Sequence, residues 1–319
     1  MDELTLLRST RDDTLIPSQD TLDAGRAALM ARIAQPPQPA HLAPARRRRR
    51  PIRRATWIAA GTATALTGIL IAGNINLGVQ SAQASEVLRQ AAAATLTTTD
   101  AAIAPGQYLR SITHARWLTC TNGVECVPND QFLDVYKPVD PGAEWVLVRD
   151  WGELPGLTGT SMETNRAVGG FFYGPDWSWQ QGDVAAIPLD GAEAYAWIDS
   201  QYQGGSASRE EDNFVRITDI LRSGLVPAPQ RAALLDALAR IPGVTSAGGV
   251  QNLDGVSGVA IGRVEPMRLG ERQEIIIDPA TGLVIGERTV VGAQAFGWST
   301  PDAVTELTAI TTTVVDEAP

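Results

Sequence analysis

Histidine and cysteine are nearly absent from this sequence of 319 residues, which contains two of each. His41 and His114 lie on opposite sides of an apolar segment at residues 55–75, so they predict neither a histidine-rich metal site nor a shared catalytic base. The sequence also lacks a G-x-S-x-G elbow, a glycine-rich phosphate loop ending in Lys-Ser/Thr, and an H-E-x-x-H motif. We therefore expect a protein that is not an enzyme and that holds no metal or cofactor.

Lysine is also scarce, since Lys137 is the only one, and the arginines are distributed unevenly. Residues 1–54 carry eleven arginines against six acidic residues, whereas residues 55–319 carry fifteen basic against thirty acidic groups. The basic excess is concentrated in Arg46–Arg50 and Arg53–Arg54, directly before the apolar segment, and is not spread over a folded face. This pattern argues against nucleic-acid binding, although a localisation signal or a nucleic-acid arm remains an alternative for the arginine run.

The segment after the arginines predicts a transmembrane helix. No charged residue occurs from Ala55 to Ser85, and its most apolar part, 57–72, approaches the roughly 20 residues that a helix needs to cross a bilayer. The arginines on its N-terminal side place the N-terminus in the cytoplasm by the positive-inside rule. We expect a cytoplasmic segment at 1–54, a span at 55–75 and an extracytoplasmic domain at 76–319, in the cell membrane.

Two alternatives remain for the apolar segment. It is also compatible with a buried core helix. Ala82-Gln83-Ala84 before Ser85 resembles a signal-peptidase site, so the segment is also compatible with a removable signal peptide that has a long basic leader. About a dozen residues separate Ala72 from Ala84, more than such sites usually tolerate, which favours an uncleaved anchor.

The cytoplasmic segment contains one predicted amphipathic helix, from about Ser18 to Ala34. Leu22, Leu29 and Ile33 fall on one face of it at helical spacing. A single helix of this length cannot hold a core of its own, so these side chains are the candidate contact with a cytoplasmic partner or with the membrane surface. Partial disorder of the segment is the alternative.

Cys120 and Cys126 flank Asn122-Gly123, a turn-forming pair. With the topology above they lie in an oxidising compartment, where two cysteines that close a short loop predict a disulfide. A redox pair is the competing interpretation, but the spacing is not C-x-x-C.

The outer region predicts an α+β domain with a mostly antiparallel sheet, because strands are followed by helices and then by strands again. A helix with Ser85 as its N-cap precedes them, and Asp190 caps another. Glu210, Glu211 and Asp212 form a solvated first helical turn rather than a catalytic carboxylate pair. The predicted strands are Tyr108–Cys120, Gln131–Lys137, Glu144–Asp150, Arg272–Ile277, Leu283–Val291 and Ala303–Val315, and the predicted core stripes are Phe214, Ile217 and Leu221, then Leu234, Leu238 and Ile241.

Residues 152–185 have the composition of a loop that is rich in glycine and aromatic residues. Exposed aromatic side chains between glycines and prolines make an adaptable apolar surface, so this loop is the candidate contact for a ligand or lipid. The alternative is that the same side chains fill the core beneath a long loop. The aromatic residues concerned are Phe171, Phe172, Tyr173, Trp177 and Trp179.

Several segments occur together in a recognisable order: Met1–Arg8, the arginine block and span, Ala84–Leu88, Pro105–Tyr108, Leu238–Val244 and Ile276–Gly286. In this combination the chain resembles a family of actinobacterial single-pass membrane proteins of unassigned function, commonly encoded beside extracytoplasmic-function sigma factors. The resemblance covers nearly the whole chain and implies an anti-sigma-factor-like role without catalytic residues. However, residues 1–54 contain no cysteine, so the His-x-x-x-Cys-x-x-Cys helix of zinc-containing anti-sigma domains is missing.

The segment Asp278–Gly282 predicts a hairpin loop and is similar to the hairpins of the outer-membrane lipoprotein carriers and their sensor relatives. This second resemblance implies a curved antiparallel sheet packed on helices around an apolar pocket. Two hypotheses follow from the sequence. The first is a membrane-anchored regulator of a sigma factor, and the second is a tethered binding or carrier module for a lipid or another hydrophobic ligand.

Overall fold

The computed structural model describes residues 77–121, 125–140, 142–153, 161–173, 181–293 and 300–319. The predicted cytoplasmic segment and the predicted span at 55–75 lie outside these residues, as do Leu22, Leu29 and Ile33. Within the described ranges, no helix has both the length and the apolar character needed to cross a membrane.

Nine antiparallel strands form one curved sheet in the described residues, which confirms the α+β prediction. In chain order they are β1 (Tyr108–Thr121), β2 (Glu125–Pro138), β3 (Glu144–Asp150), β4 (Met162–Val168), β5 (Val244–Gln251), β6 (Ser257–Glu265), β7 (Glu271–Asp278), β8 (Leu283–Val290) and β9 (Val304–Val315). Across the sheet the order is β4-β3-β2-β1-β9-β8-β7-β6-β5. Two meanders thus meet where β1 pairs with β9.

Four α-helices lie within the described part of the chain: α1 (Leu77–Thr95), α2 (Gly191–Ser200), α3 (Arg209–Arg222) and α4 (Ala228–Leu238). The last three lie between the two meanders in sequence, and α1 precedes the first strand. Short 3-10 helices cover Gln181–Ala186 and Pro266–Arg268.

The helix starts test two sequence predictions. Asp190 is the N-cap of α2, since its carboxylate accepts hydrogen bonds from the backbone N–H groups of Ala192 at 2.8 Å and Glu193 at 3.1 Å. The prediction for Ser85 is wrong, because α1 begins eight residues earlier, at Leu77. Within that helix the Ser85 hydroxyl donates to the backbone oxygen of Ser81 at 3.0 Å. Serines inside helices commonly form this hydrogen bond to the carbonyl four residues earlier.

The main core lies between the helices and the strands of the C-terminal meander. The two predicted core stripes are confirmed, since Ile217, Leu234 and Leu238 are completely buried and the other members are nearly so. Each such side chain contributes about 1.5–3 kcal/mol when it is removed from water. The opposing side chains on the sheet are Ile261, Ile275, Ile277, Val284 and Ile310.

Three strands, β4, β5 and β6, have no counterpart among the sequence predictions. The side chains of β4 are mostly polar and alternate between exposed and half-buried, as expected of a strand at the edge of the sheet. β5 contains Gly248 and Gly249, with an irregularity in pairing at that point, and β6 contains Gly258 and Gly262. Glycine normally indicates a turn, so the local pattern concealed strands that form through pairing with distant partners.

Buried carboxylates attach the start of α3 to the turn between β6 and β7. Glu211 is 3% exposed and pairs with Arg268, so the predicted solvated position is wrong for this residue. Glu265 accepts hydrogen bonds from the Ser208 hydroxyl at 2.6 Å and from Arg263 at 2.5 Å. Burial by itself would raise the pKa of Glu265, but these donors and the N–H of Met267 lower it to about 2.

Candidate functional site

The sheet is split between β8 and β9. Their ladder covers three residue pairs and ends at Arg288 opposite Leu307. On its other side β8 pairs with β7 back to Leu283, and β9 pairs with β1 as far as Val315. Beyond the short ladder, each strand therefore has one partnered edge and one edge that faces the other strand across a gap.

An irregularity in β8 lies close to the place where the strands separate. Ile277 pairs with Val284 and Ile276 pairs with Gly286, which leaves Ile285 as an extra residue in β8. Such a bulge bends its strand and increases the local twist. We infer that this bend turns β8 further away from β9, three residues beyond the end of their pairing at Arg288.

The turn between β5 and β6, residues 252–256, enters this gap; we call it the hairpin tip. The Asn252 side-chain amide donates to the backbone oxygen of Ile285 at 2.7 Å, and the backbone N–H of Leu253 donates to the oxygen of Thr308 at 3.2 Å. The tip therefore bonds to β8 and to β9 at once. Next to it the N–H of Glu287 on β8 donates to the Thr308 hydroxyl at 2.8 Å, and beyond this bond the two strands do not pair in the described residues.

The hairpin tip is held in shape from within and from outside. The side-chain oxygen of Asn252 accepts from the N–H groups of Asp254 at 3.1 Å and Val256 at 2.9 Å, which closes the turn. From β1, Nδ1 of His114 lies 2.6 Å from Oδ1 of Asp254, and the His114 ring stacks on Phe132 with centroids 4.4 Å apart. The tip is thus tied to β1 as well as to β8 and β9.

Next to the hairpin tip lies a half-open cavity of about 280 Å³, which we call the split-strand cleft. Three consecutive residues of β8 and three of β9 line it, so the strands meet the cavity with their edges rather than with one face. The lining is mainly apolar or uncharged. It consists of Leu221, Arg222, Gly224, Asn252, Asp254, Val256, Leu283–Ile285 and Ile310–Thr312.

The main-chain groups of β9 point into the split-strand cleft. The oxygen of Thr308 faces the gap, because it accepts from Leu253. Residues along a strand direct their N–H and C=O groups alternately to its two sides, and β9 continues without a register shift against β1. The N–H and C=O groups of Ile310, Thr312 and Val314 therefore also face the gap, and in the described residues no strand pairs with them there.

The end of α3 bounds the split-strand cleft on the helical side. A Cβ added to Gly224, which has a φ of +72°, would lie 3.1 Å from Cγ2 of Thr312, so the chain passes close to β9 here. One residue earlier, the backbone oxygen of Ser223 accepts a 2.6 Å hydrogen bond from Nζ of Lys137. Burial lowers the pKa of Lys137 to about 7, and the nearby charge of Arg222 contributes to this shift.

The predicted aromatic contacts lie elsewhere. Phe171 and Phe172 are half-buried, whereas Tyr173 is 64% exposed and its hydroxyl donates to the Glu163 carboxylate. None of the three lines the split-strand cleft. Trp177 and Trp179 lie outside the described residues, and contact of this loop with a ligand stays a prediction.

The predicted disulfide is confirmed, because Cys120 and Cys126 are bonded to each other across the β1–β2 turn. Among the residues that the structure describes, no group of three or more histidine, cysteine, aspartate or glutamate side chains is arranged to hold a metal ion.

Comparison with known proteins assigns no family, because no family model and no curated protein matches the chain. Among the solved structures that are similar to it, two illustrate how low the level of similarity is. One is the complex structure of Pseudomonas aeruginosa MucA/MucB, at 12% identity and a TM-score of 0.30. That match covers 74% of this chain but only 58% of the other, less than two thirds of its length. The second is a DUF1329 family protein from Desulfovibrio piger, at 9% identity and a TM-score of 0.23, covering 74% and 92% of the two chains. Likenesses of this size carry no functional assignment.

None of the residues that line the split-strand cleft was predicted from the sequence as a site residue. One local signal was available, since Asn252-Leu-Asp-Gly255 has the composition of a tight turn between two strands. It would have located the hairpin tip. No local pattern indicates that two strands far apart in the sequence separate at this turn.

Proposed function

We propose that this chain is a membrane-anchored binding protein whose extracytoplasmic domain takes up an apolar ligand in the split-strand cleft. The observation that carries the proposal is the half-open cavity between the separated edges of β8 and β9. Ligand sites are concave and mostly apolar, with a few polar groups that fix orientation.

The composition of the cleft supports this proposal. Leu221, Val284 and Ile310 supply apolar surface, while Asn252 and the main-chain groups of β9 supply polar contacts. Its volume of about 280 Å³ is near the lower end of the roughly 300–1,000 Å³ that ligand pockets span. The cleft therefore suits a small apolar molecule or a short part of a longer one.

The anchor and the topology belong to the same proposal and are supported by the sequence. The uncharged stretch from Ala55 to Ser85 follows the arginine block, and the cysteines that form the disulfide follow the stretch. Structural disulfides are typical of extracytoplasmic domains. We propose that the described domain lies outside the cytoplasm, next to the membrane.

Photolabelling of the full-length protein in its native membranes tests ligand uptake. A small apolar aryl diazirine is added and activated, and the labelled residues are identified by mass spectrometry. We expect label on Leu283–Ile285 and Ile310–Thr312. Label confined to other residues would contradict the proposal.

Two tryptophan substitutions make the test specific. Thr312→Trp places a large side chain in the cleft, whereas Thr313→Trp adds the same group to the other face of β9 at another exposed threonine. We expect the first to lower labelling of the cleft at least tenfold and the second to leave it unchanged. Val256→Trp, at the exposed hairpin tip, is a second blocking variant if Thr312→Trp fails to fold.

The sequence also favours a regulatory role, which is our second candidate function. Leu22, Leu29 and Ile33 share one face of a predicted cytoplasmic helix that has no core of its own. We propose that this face binds a sigma factor and that occupancy of the outer domain controls this contact. The resemblance to membrane proteins encoded beside sigma factors supports the choice of partner.

A further inference from the structure

We propose that the occupant of the split-strand cleft is an extended, uncharged segment of polypeptide that adds as a strand between β8 and β9. The proposal rests on the proposed function, because it names the ligand class of the same site. Extended peptides add to sheet edges through main-chain hydrogen bonds, and pockets for alternate side chains provide specificity.

The unpaired edge of β9 matches the main chain of a peptide strand. Ile310, Thr312 and Val314 direct their N–H and C=O groups into the gap at two-residue intervals, the spacing at which an antiparallel strand offers its own groups. A lipid chain has no donor or acceptor along its length and would leave these groups without partners. A peptide strand satisfies both kinds of group.

The hairpin tip shows that a chain in this gap reaches both strands. The side-chain amide of Asn252 bonds to Ile285 of β8, and the adjacent backbone N–H of Leu253 bonds to Thr308 of β9. These two neighbouring residues bridge the gap at one end. An inserted peptide would continue the same bridging pattern along the cleft.

The charges around the cleft favour an uncharged ligand segment. Its two charged lining residues already have partners in the structure. Asp254 lies against His114, and Arg222 pairs with Asp219 at 2.8 Å and with Glu287 at 3.3 Å. The remaining lining residues are uncharged, so the best fit is a segment of alternating apolar and small polar residues.

The test uses the full-length protein in lipid nanodiscs with the aryl diazirine as reporter. The competitor is an octapeptide with alternating valine and threonine between one arginine at each end. We expect an excess of peptide to reduce photolabelling of Leu283–Ile285 and Ile310–Thr312 at least tenfold. Thr313→Trp protein should respond like the wild type.

Two N-methylated peptides identify the mode of binding. Each carries N-methyl groups on one alternate set of amides, which removes the donors along one edge while the side chains stay the same. An inserted strand uses both of its edges. We therefore expect each analogue to protect the cleft from photolabelling at least tenfold less than the parent peptide does. Loss with only one analogue would indicate addition to a single strand and would overturn insertion between the two.

The remaining outcomes separate this inference from the proposed function. Labelling of the cleft that the peptide does not reduce, or that both N-methylated analogues reduce as well as the parent, would overturn the peptide inference and leave the proposed function standing. Absence of label from the cleft in wild-type and Thr313→Trp protein would overturn both.

Discussion

The ammonium group of Lys137 on β2 donates a 2.6 Å hydrogen bond to the backbone oxygen of Ser223, the C-cap residue of α3. The last carbonyls of a helix have no partner within the helix, and a cation there is also favoured by the helix dipole. Lys137 is buried, with 6% of its surface exposed, and its Nζ lies 6.0 Å from the centre of the Trp145 ring. This bond fixes the end of α3, which bounds the split-strand cleft, to the first meander.

Lys137 predicts a rise in stability between pH 7 and 10. Its pKa is lowered to about 7 by burial in the folded protein, whereas an exposed lysine has a pKa near 10.4. The unfolded chain therefore binds more protons in this window, and the free energy of unfolding increases by up to about 1.4 kcal/mol per pH unit.

Urea unfolding of wild-type and Lys137→Met protein at several pH values measures this effect. No other lysine titrates in the window, because every other basic side chain except the two histidines is an arginine. We expect the difference between the two proteins to change in favour of the wild type as the pH rises from 7 to 10. A difference that is independent of pH would show that Lys137 keeps its charge when buried.

Glu265 predicts a loss of stability at acid pH. Its folded pKa of about 2 lies below the ordinary value of 4.5, because the donors Arg263, Ser208 and Met267 outweigh the effect of burial. Its contribution to stability is complete above pH 4.5 and is lost as the pH falls through 2. Glu265→Gln should lower the free energy of unfolding at pH 6 by roughly 1–3 kcal/mol, since it leaves Arg263 without its charged partner.

The slope between pH 4.5 and 2 gives the check on Glu265. As the pH falls through this range, the wild type should lose stability more steeply than Glu265→Gln. Thermal unfolding followed by circular dichroism at each pH measures the stability of both proteins. Glu193→Gln, an exposed carboxylate at the start of α2, should follow the wild-type slope. Equal slopes for Glu265→Gln and the wild type would refute the assignment.

Asn252 should stabilise the hairpin tip. Its side chain is 6% exposed, donates to Ile285 and accepts from Asp254 and Val256. Asn252→Ala removes all three bonds and should lower the free energy of unfolding by about 1–3 kcal/mol. In hydrogen–deuterium exchange, the amide of Leu253 should also exchange faster. Gln251→Ala, at the exposed neighbouring residue, is the control and should change neither measurement.

The regulatory hypothesis predicts that Leu29→Asp with Ile33→Asp abolishes co-purification of a sigma factor with the full-length protein. Two charges would then lie on the apolar face of the predicted helix. Ala24→Asp with Ala31→Asp puts the same charges near the opposite face, given about 100° per residue. Mass spectrometry identifies the proteins that co-purify with each double variant. Retention of the sigma factor by the Leu29→Asp, Ile33→Asp variant would reject this contact.

Most of the fold follows from local patterns. Periodicity and turn residues predicted most of its elements. Examples are the strands that begin at Tyr108 and Glu144, the cap at Asp190, the core stripes on α3 and α4, and the hairpin at Asp278–Gly282. In each of these the deciding interactions lie within a few residues along the chain. The disulfide was predictable for the same reason, because its cysteines flank one short turn.

What the sequence alone determined is thus the type and sequence position of most elements, together with the expectation of an anchor before them. Tertiary structure decided the rest. The strands β4 to β6 form through pairing, Glu211 is buried by an arginine 57 residues away, and Lys137 meets Ser223 across 86 residues. The split-strand cleft depends on a bulge in β8 and on a hairpin tip held by His114 from 140 residues away. Local sequence cannot specify such contacts, because the free energy of each depends on a partner that only folding brings within reach.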